Sequence, residues 1–83
     1  MKSQLTDILS SILTFFGDKK NDKLSLDEMK SYVSTKLDKV NNKAEKHLAM
    51  KVKGKVSTAK SKISLLTIIT EQMFELNGMS ADI

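Results

Sequence analysis

Residues 63–76 read ISLLTIITEQMFEL, and eight of these fourteen positions are large and apolar. No other window of the 83-residue chain is as dense. As a helix, the stretch places Ile63, Leu66, Thr70, Met73 and Leu76 or Asn77 on one face, which Leu65, Ile68 and Ile69 widen well beyond a stripe. A helix apolar over most of its girth belongs inside a core or an oligomer. Glu71 and Glu75 interrupt it, and it falls short of the about 20 apolar residues that span a bilayer. Asn77-Gly78 reads as its stop, since glycine takes the left-handed conformation without a Cβ clash, and Met79 could then fold back on Phe74. The competing reading of residues 63–70 is a strand, because Ile and Thr suit strands. The Glu, Gln and Met that follow favour helix. The fold expected is therefore all-α, a small bundle of three to four helices packed around this C-terminal apolar helix, with residues 1–83 as one domain.

Towards the N-terminus, two further helices can cover it. Leu5, Ile8, Leu9, Ile12, Leu13 and Phe16 recur at the spacing that paints one helical face. Ser3 and Thr6 are both candidate N-caps, and Asp7 suits the positive end of the helix dipole. Residues 17–23, GDKKNDK, form a polar turn. Ser25-Leu26-Asp27-Glu28 then reads as a capping box, with Leu24 and Met29 placed as a hydrophobic staple. Leu26, Met29, Val33, Leu37 and Val40 make a steady inner stripe, with Tyr32 at its edge. The helix either ends at Asn41-Asn42 or runs on through Ala44 and Leu48. In residues 49–57, AMKVKGKVS, apolar and lysine positions alternate, a strand signal with Gly54 in a turn. The alternative is a helix kinked or broken at Gly54, and the balance favours helix. Ser57 or Thr58 would cap the last helix.

At this length roughly 60–65% of the unfolded surface is buried, so stability is expected to be modest. There is no cysteine, which excludes disulfides and thiolate metal sites. The start of the chain makes a poor secretory signal, and a cytoplasmic, intracellular protein is expected. All fourteen basic side chains are lysine. Lysine is a mobile point charge, whereas arginine grips phosphates and guanine edges in two places, so loose, salt-sensitive contacts are favoured. Charge is uneven: +1 over residues 1–40, +6 over 41–65 and −3 over 66–83.

Few constellations carry chemistry. Residues 15–29, FFGDKKNDKLSLDEM, resemble an EF-hand loop with its flanking helices. Glu28 stands where that family's bidentate glutamate ends the loop, and Leu24 where its central apolar residue sits. The resemblance implies calcium ligation, but Gly17 and Lys19 occupy positions that should supply oxygens, and Asp22 replaces the expected glycine. The loop cannot offer the six or more oxygens a hard cation needs, and no metal or cofactor is expected. His47 is the sole histidine and has lysine neighbours. No nucleophile motif or glycine-rich phosphate loop is present, so the chain reads as non-enzymatic.

Two features point to partners. Lys43, Lys46, Lys51, Lys53, Lys55, Lys60 and Lys62 form a basic middle suited to a phosphate backbone, an acidic protein or an anionic surface. No aromatic residue is interleaved with them, so nucleic-acid binding would be electrostatic and indifferent to sequence. The second feature is apolar surplus: Ile63, Leu66, Ile69, Met73 and Phe74 are the candidate partner-binding residues. Met29, Met50, Met73 and Met79 would give such a surface an adaptable character. The leading expectation is a small interaction or regulatory protein that packs helices with itself, as a homodimer, or with a protein partner. The alternative is a non-specific nucleic-acid-binding protein using residues 43–62.

Overall fold

The computed structural model describes the backbone of residues 4–81 and the side chains of residues 4–76. Four helices follow in order: α1 Gln4–Gly17, α2 Leu26–Leu37, α3 Lys43–Ser57 and α4 Lys62–Ala81, with a short 3-10 turn at Lys19–Asn21. They form a ring in which α1 packs on α2 and α4, and α3 packs on the same two helices from the other side. The radius of gyration, 12.5 Å, is close to the about 12 Å typical of a folded chain this long.

Each start has a local cause. At α2 the capping box is complete: Glu28 N–H donates to Ser25 Oγ at 3.1 Å, and Ser25 N–H donates to Glu28 Oε1 at 2.8 Å. Donation to the Glu28 carboxylate from the Ser25 backbone N–H, then from its hydroxyl, aided by the charge of Lys62, holds the carboxyl below its ordinary pKa. The helix ends at Leu37, and Asn42 opens a separate α3 by accepting from Ala44 N–H at 2.9 Å. Thr6 lies inside α1 rather than capping it, and Ser3 falls outside the described residues. The start of α1 is instead tied to distant parts of the chain. Leu5 N–H donates to Glu45 Oε1 at 2.7 Å, and Gln4 Oε1 accepts from Asn41 and Asn42 N–H, each at 3.0 Å.

Residues 49–57 and 63–70 are helical, as the favoured readings had it. Three sequence expectations are corrected. First, α3 passes through Gly54 without a break. A Cβ added at Gly54 would meet nothing within 4 Å. The alternation of lysine with apolar residues there arises because Val52 and Val56 turn inward while the lysines spread over the rest of the helix surface. Second, α4 does not stop at Asn77-Gly78 but continues to Ala81, and no described glycine takes a positive φ. The Met79–Phe74 contact lies outside the described side chains. Third, the cap of α4 is neither Ser57 nor Thr58. Thr58 closes α3, and Ser61 Oγ accepts from Ser64 N–H at 3.0 Å.

One core holds the ring together. Leu5, Leu9 and Ile12 from α1 meet Met29, Val33 and Leu37 from α2, with Val40 from the turn. Ala49, Val52, Val56 and Ala59 close it from α3 and its C-terminal turn, and Leu65 and Ile69 from α4. Beside it, Phe15 stacks on Tyr32 with centroids 4.0 Å apart, Phe16 lies across both rings, and Lys36 Nζ sits over Tyr32.

Candidate functional site

The inner side of α4 is not the face expected from periodicity. Leu65, Ile69 and Gln72 are buried, and Leu66, Ile68, Met73 and Leu76 are half-buried against the core. Ile63 is 78% exposed and Phe74 is 64% exposed. The helix is apolar on two sides, so spacing alone could not say which side faces inward. Gln72, only 3% exposed, marks the inner face, and an apolar stripe search passes over it.

The five candidate partner residues are therefore divided. Ile69, with no exposed surface, belongs to the core, and Leu66 and Met73 straddle its edge. Ile63 and Phe74 point outward. At about 100° per residue, Phe74 comes round to within roughly 20° of Ile63 after three turns. Between them lies a shallow groove of about 300 Å³ lined by Ile63, Leu66, Thr67, Thr70, Glu71 and Phe74. Leu66 is its floor, and it also lines a smaller cleft with Phe16 and Met29 on the other side.

The lysines follow a different geometry. Lys43, Lys46, Lys51, Lys55, Lys60 and Lys62 are exposed, and Lys53 is half-buried. Along α3, Lys46 and Lys53 lie roughly 140–200° around the helix from Lys51 and Lys55, so they flank opposite sides of it. Lys53 Nζ pairs with Asp38 Oδ1 at 2.7 Å, and Lys62 Nζ donates to the Asp22 carbonyl at 3.3 Å. Met50, 66% exposed, stands between the flanks and borders a groove of about 260 Å³ with Leu37, Asp38, Lys46, Ala49 and Lys53.

In the turn that resembles an EF-hand, two of the acidic groups are already engaged. Asp18 accepts from Lys20 N–H, and the Glu28 carboxylate closes the capping box. Asn21 Nδ2 donates to the Phe15 carbonyl at 2.7 Å and ties the turn to α1. Among the described residues, no three His, Cys, Asp or Glu side chains come together as a metal cluster. His47 is exposed on α3. No described helix is long and apolar enough to cross a membrane.

These elements define an all-helical four-membered bundle with a hydrophobic outer face on its last helix. No protein-family model, curated protein or solved structure matches the chain.

Proposed function

We propose that this chain is a small non-enzymatic interaction protein that acts through helix packing, with the outer face of α4 as its docking surface. One observation carries the reading: Ile63 and Phe74 stand exposed at nearly the same helical angle, on the side of α4 turned away from the core. A single exposed apolar side chain is ordinary. Two such groups flanking a groove floored by Leu66 make a continuous strip, which is what a partner helix buries.

The test is binding of an environment-sensitive apolar dye to the intact chain and to Ile63→Lys and Phe74→Lys. Both positions are exposed, so helical content by circular dichroism should be unchanged. The reading expects each variant to lose most of the dye signal, and Met50→Lys on α3 to keep it. Equal signals from all four proteins would remove α4 as the surface.

A second reading, non-specific nucleic-acid binding, is supported by the exposure of Lys43, Lys46, Lys51, Lys55 and Lys60. Their spread around α3 limits how many can meet one backbone. A binder making 6–10 phosphate contacts would lose roughly 10³–10⁵ in affinity for a DNA duplex between about 50 and 200 mM salt. No binding at low salt would end this reading.

A further inference from the structure

We infer that the outer face of α4 docks against the same face of a second copy of this chain, with the two helices antiparallel. The inference rests on the reading of α4 as the docking surface and names its occupant.

The argument is the polarity of the strip. Its N-terminal end is preceded by Lys60, and its C-terminal half carries Glu71 and Glu75, all exposed; Lys62 turns to the other flank, where its Nζ meets the Asp22 carbonyl. No lysine occurs beyond residue 62. Ile63 lies at the basic end and Phe74 at the acidic end, with only Thr67 and Thr70 between them on the outermost line. A two-fold axis between Thr67 and Thr70 makes this pattern complementary to itself. It brings Ile63 of one copy level with Phe74 of the other, and Thr67 level with Thr70. The end bearing Lys60 then faces the end bearing Glu71 and Glu75. Lys60, just ahead of α4, comes within about two residues of the height of Glu75 of the other copy. A two-fold interface uses one patch twice, so it requires this kind of internal complementarity. The parallel arrangement would set lysines against lysines and glutamates against glutamates. The small threonines at the centre let the two backbones approach, and the large side chains at either end fill the space beside them.

The strip is roughly 16 Å long at 1.5 Å per residue. With its flanks it buries less than the about 1,200 Å² at which stable complexes begin, so the dimer is weak and depends on concentration.

The absence of cysteine permits a direct test of orientation. Ile63→Cys and Phe74→Cys chains are mixed at high concentration and oxidised. A disulfide needs Cα atoms within about 7 Å. The antiparallel pair therefore yields the mixed 63–74 product, while like positions lie roughly 16 Å apart along the axis and pair poorly. Preferential 63–63 and 74–74 products would overturn the arrangement. Sedimentation of the unaltered chain should show a monomer–dimer equilibrium within the micromolar to millimolar range. Phe74→Lys should weaken it at least about tenfold. Glu75→Lys should weaken it by roughly two- to fivefold, and adding Lys60→Glu should restore it. A chain that stays monomeric throughout overturns the inference. If it still binds dye through Ile63 and Phe74, the docking surface survives and belongs to another protein; if it does not, both readings fall.

Discussion

α3 and α4 lie side by side and close the same core, yet they treat solvent in opposite ways. α3 turns small residues inward, Ala49, Val52 and Val56, and covers its outer surface with lysines and a lone Met50. α4 turns Leu65, Ile69 and Gln72 inward and still presents Ile63 and Phe74 outward. Packing within one copy accounts for every large apolar side chain on α3 except Met50. On α4 it accounts for only one of two apolar sides. A helix with a single apolar side is finished when the bundle closes, and a helix with two is not.

That contrast can be broken or sharpened by substitution, and the largest effect should lie within α4. Ile69→Ala should cost about 2–5 kcal/mol in urea unfolding, because it empties a closed part of the core. Ile63→Ala, two turns away, should stay within about 0.5 kcal/mol for the monomer. Comparable costs at the two positions would mean that both sides of α4 serve the fold. Next comes Glu45→Ala at the start of α3, which removes the acceptor of the Leu5 N–H and should cost about 1–2 kcal/mol, with hydrogen exchange rising first in the opening turn of α1. Gly54→Ala should work in the other direction. The site is helical, with open space for a methyl group, so the change should stabilise by about 0.5–1 kcal/mol and raise the melting temperature. A loss instead would show that the outer side of α3 is not free.

The smallest effect concerns pH. The folded-state pKa of Glu28 is lowered by the Ser25 hydrogen bonds and by Lys62 at the head of α4. Its contribution to stability is therefore complete above the ordinary carboxylate pKa and is lost as pH falls through the lowered value. Acid titration of stability should flatten slightly in Glu28→Gln, and an unchanged profile would discard Glu28 as a source of the pH dependence.

Much of the fold was legible because local signals agreed with one another. Leu5, Leu9 and Ile12 follow a single helical period, and all three are buried. Ser25 and Glu28 announce a helix start by chemistry that needs no tertiary partner. The all-helical class followed from such stretches. The inner side of α4 was not legible, because periodicity locates a face only where the opposite face is polar. The tie between α1 and α3 was not legible either, since the Leu5 amide is held by Glu45, forty positions along the chain. Gly78 misled for a related reason: glycine permits a left-handed stop but does not impose one. At the candidate site, the apolar density of residues 63–74 was legible as a region, but which side chains face outward is decided by the bundle around them.

Tyr32 has one more consequence. It is the chain's sole tyrosine, there is no tryptophan, and its ring lies nearly parallel to Phe15 across the contact between α1 and α2. The tyrosine band of the near-ultraviolet dichroism must therefore arise at that single stacked ring. Far-ultraviolet signal reports helix anywhere in the molecule, whereas the near-ultraviolet band reports whether these two helices are locked in register. A state that keeps the first and loses the second is the optical mark of a molten bundle, and this chain carries a built-in, label-free reporter for it.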